Sequence, residues 1–99
     1  MDLAQGDAAF TMKDLHMEDN SIISMWLLSE GTAPVKVTFK GYSGDKLLFS
    51  KDVNHVPRAA NIWEMVEAKV NGQGADKLVI SFSGSDVIWI DDIDISTFK

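Results

Sequence analysis

The stretch that most constrains this chain is the one from residue 86 to 96, DVIWIDDIDIS. Ile88 and Ile90 are two residues apart, so in an extended strand they share one face and leave Trp89 on the other. Ile93 and Ile95 keep the same period on the opposite parity. All four isoleucines reach one face only if an extra residue is inserted at Asp91–Asp92, and an insertion of that kind is a β-bulge. The chain is therefore expected to end in a bulged strand, aliphatic on the core side and tryptophan on the outer side.

Period-two patterning recurs upstream. Ala8 to Leu15 alternates weakly, with Ala8, Phe10 and Met12 on one face, and residues 1–7 are small, polar and expected to be flexible. His16 to Ser21 reads as a turn. Ile22 to Ser29 follows, with Ile23, Met25 and Leu27 on one parity and Ser24 and Trp26 on the other. After the turn chemistry of Glu30 to Pro34, Val35, Val37 and Phe39 alternate cleanly with Lys36, Thr38 and Lys40. The loop Gly41 to Asp45 predicts a hairpin into Lys46 to Val53, with Leu47 and Phe49 toward the core. Leu78, Ile80 and Phe82 form another alternating strand before the last one.

Residues 59–71 carry two readings. Ala59, Ile62, Trp63, Val66 and Val70 recur at helical spacing, with Asn71–Gly72 as a helix stop. In the strand reading Ile62, Val66, Ala68 and Val70 point inward and Trp63, Met65, Glu67 and Lys69 outward, with Glu64 the one polar residue on the inward parity. A lone helix among six strands has no layer to pack on, so the strand reading is adopted. Seven short strands then predict an all-β, two-sheet antiparallel β-sandwich of jelly-roll type, one domain over residues 1–99.

All three tryptophans fall on the parity opposite their aliphatic neighbours. A jelly-roll connection sets the second, fifth and seventh strands side by side, so Trp26, Trp63 and Trp89 are expected to form one outward aromatic platform across neighbouring strands about 4.8 Å apart. Such a surface suits the C–H face of a pyranose ring. Taken singly, each tryptophan could instead be packed beneath a loop or the amino-terminal arm. Nine Lys and Arg against fifteen Asp and Glu give a net charge of −6, which disfavours nucleic acid and anionic membranes as partners. No stretch approaches the length needed to span a bilayer. The chain contains no cysteine, so it has neither a disulfide framework nor a thiolate metal site.

The pattern ISMWLLSEGTAPVKVTFKGY, then IWEMVEAKV, then DKLVISFSG followed by VIWIDDIDI resembles the β-sandwich carbohydrate-binding modules appended to bacterial glycoside hydrolases. The resemblance covers residues 20–96. It implies a secreted, non-catalytic module that holds a covalently linked cellulase or hemicellulase against plant-cell-wall β-glucan. It also nominates Asp91 and Asp92 for a structural calcium, and Asp2 or Asp7 could add another carboxylate. Many such modules begin with an extra strand that supplies an acidic calcium ligand, and here the chain starts too late to supply it clearly. Two carboxylates fall short of the six to eight oxygens calcium takes, so calcium is not expected to be required. His16 and His55 read as surface histidines.

The leading expectation is thus a module that stacks a β-linked glucan on Trp26, Trp63 and Trp89, with hydrogen bonds from Asn61, Glu67 and Asp94. An enzyme is disfavoured, because Gly-x-Ser-x-Gly, His-Glu-x-x-His and phosphate-loop motifs are absent and a sandwich of this size has little wall for a closed pocket. The competing expectation is a protein-interaction or adhesion sandwich that uses the same aromatic face as a hot spot.

Overall fold

The computed structural model describes residues 2–5 and 8–97, with side chains from residue 9 onward. Eight strands run in chain order: β1 (Asp2–Gln5), β2 (Ala8–Met12), β3 (Ser21–Ser29), β4 (Val35–Ser43), β5 (Lys46–His55), β6 (Trp63–Val70), β7 (Lys77–Ser83) and β8 (Val87–Thr97). They form two four-stranded sheets, ordered β1-β8-β3-β6 and β2-β7-β4-β5. Every pairing is antiparallel, and no helix occurs among the described residues. The fold is the two-sheet β-sandwich the alternation predicts.

Its core is filled from both sheets. Ile23, Met25 and Leu27 of β3, Val66 and Ala68 of β6, and Ile88 and Ile90 of β8 are buried on the inner face of the first sheet. Val35, Val37 and Phe39 of β4 and Leu78, Ile80 and Phe82 of β7 are buried on that of the second. The edges of the second sheet close over this core with Phe10 and Phe49, which are partly buried against it. Phe10 meets Phe82 edge to face, with ring centroids 5.8 Å apart, a geometry the ring quadrupoles favour.

The parity break in β8 is a bulge. Ser24 lies opposite Asp94 and Trp26 opposite Asp91, so Met25 alone faces the two residues Asp92 and Ile93. Asp92 absorbs the kink in the left-handed region (φ 52°), which a short polar side chain tolerates better than a branched one. Ile93 and Ile95 are thereby returned to the core.

Several expectations are corrected. Residues 1–7 were expected to be flexible, yet Asp2–Gln5 form β1 and pair with β8, Leu3 opposite Trp89. The side chain of Asp2 and all of Asp7 lie outside the described residues. Leu47, expected in the core, is 48% exposed because a second bulge intervenes: Gly41 pairs with Phe49 but Tyr42 pairs with Leu47. Leu48 is the inserted residue, and it packs against the core in place of Leu47. Gly41 is needed at this crossing, since a Cβ there would overlap the Phe49 ring. Ile62 is exposed because β6 starts one residue later, at Trp63. Met17, placed by sequence in a polar turn, is buried: its N–H donates to the Ala75 carbonyl and its carbonyl accepts from Gly74, which draws the side chain under the sandwich.

Candidate functional site

Strand order decides which tryptophans meet. β3 lies between β8 and β6, so its outward residues have neighbours on both sides. Leu28 is opposite both Trp63 and Trp89, and Trp26 is opposite both Met65 and Asp91. One row therefore reads Trp63–Leu28–Trp89, with the two tryptophan backbones two strand spacings, about 9.6 Å, apart. The next row, two residues or about 6.8 Å along β3, reads Met65–Trp26–Asp91. The three indoles stand at the corners of a triangle on one face of one sheet.

They are not equally open. Trp26 and Trp63 are 39% and 36% exposed. Trp89 is half-buried, and its indole N–H donates to Glu30 Oε2 at 2.7 Å. That bond satisfies the polar edge of the ring and fixes its orientation. Glu30 was not singled out from sequence, and its separation of 59 residues from Trp89 left no local signal of the pairing.

Of the polar residues nominated with the tryptophans, two come together. Glu67 and Asp94 both lie opposite Ser24, in the row immediately beyond Trp26, and both are exposed. Asn61 is at the other end of the face, in the approach to β6. It takes a left-handed backbone (φ 62°), and its N–H donates to the Ser29 carbonyl at 2.7 Å. Met65 and Leu28 complete the apolar floor. Met65 was legible as the residue two along from Trp63, whereas Leu28 becomes part of the floor only because the register places it between two tryptophans.

Asp91 and Asp92 place two carboxylates at the bulge of β8. The Asp91 carboxylate accepts the N–H of Asp92 at 2.9 Å, and Asp91 sits on the outward face beside Trp26. Among the described residues no group of three or more His, Cys, Asp or Glu side chains is placed to hold a metal ion.

A separate polar cluster lies where the chain crosses from β5 to β6. His55 is the last residue of β5, and its side chain is only 14% exposed, which corrects its reading as a surface histidine. Its Nε2 lies 3.4 Å from Glu64 Oε1. Glu64 also accepts from the Arg58 guanidinium at 2.9 Å and from the Arg58 backbone N–H at 3.2 Å. Partial burial pushes the Glu64 carboxyl upward, but the bonds from Arg58 and the charges of His55 and Arg58 outweigh it and hold the group below the usual carboxylate range. The one polar residue on the inward parity of β6 is thus the anchor of a crossover loop.

No protein-family model matches this chain, and no curated protein matches it in sequence. Solved structures do match in shape. A family 4 carbohydrate-binding module superposes with a TM-score of 0.60 at 16% identity, over 93% of this chain and 61% of that one. A family 61 carbohydrate-binding module, solved in complex with β-1,4-galactotriose, superposes with a TM-score of 0.58 at 14% identity, over 93% of this chain and 62% of that one. The enzymatically active domain of tailspike protein 4 from bacteriophage CBA120 matches at a TM-score of 0.63 and 12% identity, but over only 14% of its chain. The chain thus spans about three fifths of these two modules, and at these identities the shared property is the fold, a two-sheet β-sandwich.

Proposed function

We propose that this chain is a non-catalytic carbohydrate-binding module whose ligand is a β-linked glucan: a cellulose-type chain, cello-oligosaccharide, mixed-linkage glucan or xyloglucan. The glucan lies on Trp26, Trp63 and Trp89, and Asn61, Glu67 and Asp94 hydrogen-bond its hydroxyls. In the full-length protein the module is secreted and keeps a linked endoglucanase on its substrate. The observation that carries this reading is the outward row Trp63–Leu28–Trp89 with Trp26 beside it. Exposed indoles at adjacent positions on a β-sheet offer flat apolar area at little cost in side-chain entropy. The separation of Trp63 and Trp89 is close to the disaccharide repeat of an extended β-1,4 chain, in which alternate rings present the same face. A chain running across the strands would therefore stack one ring on each and bridge Leu28 with the ring between.

By analogy with base–aromatic stacking, each tryptophan contributes about 1–3 kcal/mol, so three support micromolar affinity after the costs of association. Titration calorimetry with cellohexaose and xyloglucan oligosaccharides tests the reading. Binding that weakens about ten-fold in Trp26→Ala and in Trp63→Ala, both still folded, supports it; no binding to any β-glucan by the unaltered protein removes it.

One observation favours a second reading. Met65, 46% exposed, extends the apolar area beside the tryptophans, and an aromatic patch joined to a methionine is also what a protein partner engages. Retardation in a gel cast with β-glucan separates the two, since a protein-interaction sandwich would migrate unchanged.

A further inference from the structure

The outer face of the second sheet differs in kind from the tryptophan face. β4 turns Lys36, Thr38, Lys40 and Tyr42 outward, opposite the inward Val35, Val37 and Phe39. On β7 the register sets Lys77 beside Tyr42, Val79 beside Lys40 and Ser81 beside Thr38. On the other side β5 adds Ser50 opposite Lys40 and Asp52 opposite Thr38. Three lysines and one aspartate therefore share this face, in a chain whose net charge is −6.

The single acid is already engaged. Asp52 accepts from the Thr38 hydroxyl at 2.9 Å and lies 3.7 Å from Lys36 Nζ. Lys77 Nζ stands 4.9 Å from the centroid of the Tyr42 ring, a cation held over an aromatic face. Lys40, between them, makes no ion pair among the described residues. Beyond Tyr42 the charge turns mixed: Lys77 itself lines a pocket at the β4–β5 turn with Lys13, Asp14, Asp45 and Asp76, so the face is cationic from Lys36 to Lys40 and is met by acids at Lys77.

We propose that this face is a second binding site, for a carboxylated polysaccharide chain of the polyuronate class. Lys36 and Lys40 are four residues apart on one strand, about 13.6 Å, too far to share one phosphate or sulfate and suited to carboxylates on different sugars of one chain. The hydroxyls of Thr38 and Ser81 lie in the row between Lys36 and Lys40, and that of Ser50 lies beside Lys40, where an uronic acid presents hydroxyls of its own. A polymer with one charge per sugar also meets less repulsion from an acidic protein than a nucleic acid does, with its denser phosphates. The site is independent of the glucan reading, because no residue is common to the two faces.

The test is affinity electrophoresis and calorimetry with polygalacturonate at about 20 mM and about 200 mM NaCl, a range over which screening tightens appreciably. The expected result is binding at low salt that weakens on the order of ten-fold at high salt, and that is lost in a Lys40→Ser/Lys77→Ser variant of unchanged melting temperature. The same variant is expected to bind cellohexaose as the unaltered protein does, and Trp63→Ala to bind polygalacturonate as the unaltered protein does. Absence of binding at low salt overturns the proposal. So does binding that survives Lys36→Ser/Lys40→Ser/Lys77→Ser, or equal retardation by a DNA duplex, which would mark the face as a general polyanion surface. Failure of glucan binding alone leaves this result readable, since the two ligands and the two sets of variants are separate.

Discussion

The two outer faces of this sandwich rest on the same kind of core and present opposite chemistry. On the β8-β3-β6 face the outward positions hold three tryptophans and Met65, with Asp91, Glu67 and Asp94 against Lys69. On the β7-β4-β5 face they hold Lys36, Lys40 and Lys77, hydroxyl side chains and one tyrosine, with Asp52 as the counter-charge and Val79 and Leu47 as the apolar members. The inward positions at the centre of both sheets are aliphatic, methionine and phenylalanine side chains of near-zero exposure. Alternation makes this possible: in a strand each successive residue changes face, so the core can stay constant while the two surfaces diverge.

The comparison breaks most severely if the shared core is altered. Phe39 is wholly buried between the sheets, and Phe39→Ala is expected to cost about 3–5 kcal/mol, abolishing ligand binding on both faces as the melting temperature collapses. A Gly41→Val change should act more locally. Its new side chain meets the Phe49 ring across the β4–β5 bulge, so a loss of about 1–3 kcal/mol is expected in denaturant unfolding, with the lysine face disturbed and the tryptophan face intact.

Replacing an outward tryptophan should separate binding from folding. Trp63→Ala and Trp26→Ala are each expected to weaken glucan binding about ten-fold, the factor that a stacking loss of about 1.4 kcal/mol gives, while the melting temperature moves little. A Trp63→Ala protein that unfolds would show that the indole supports the sheet rather than a ligand.

The link between the two sheets is open to titration. Glu64, held below the usual carboxylate range by Arg58 and His55, has a lower pKa folded than unfolded. Its contribution is therefore complete above the unfolded value and is lost as the pH falls through the folded one. Melting temperature should drop on acidification through that range, and Glu64→Gln should remove this part of the dependence. The smallest expected effect is that of chelation. With two carboxylates at the bulge and no third ligand among the described residues, excess EDTA is expected to change neither melting temperature nor glucan affinity. A fall in either would mean that a ligand outside those residues completes a calcium site.

What was legible in the sequence was what side-chain parity carries. The inward sets of β3, β4, β7 and β8 and the bulge at Asp91–Asp92 follow from a period of two, which depends on nothing beyond the strand itself, whereas the strand character of residues 63–70 was legible only because a lone helix would have had no layer to pack on. Leu47 was misplaced for the converse reason. The bulge opposite Gly41 leaves no break in a pattern as short as Lys-Leu-Leu-Phe, in which either leucine satisfies the core. Position β1 was likewise missed, because an edge strand of four residues is held by its partner and has no periodicity long enough to read.

Which residues share a face of a strand was therefore determined by the sequence alone, since alternation is a property of the single extended backbone. Which strands lie side by side was decided only by the tertiary structure. Trp63, Trp26 and Trp89 are neighbours because β3 pairs with both β6 and β8, and Lys77 meets Tyr42 because β7 pairs with β4. The same holds for Glu30 under the Trp89 indole and for His55, Arg58 and Glu64 at the crossover. Contacts of this kind join residues distant along the chain or brought together by a turn, and they exist only after the sheets have formed and the entropy of closing the loops between them has been spent.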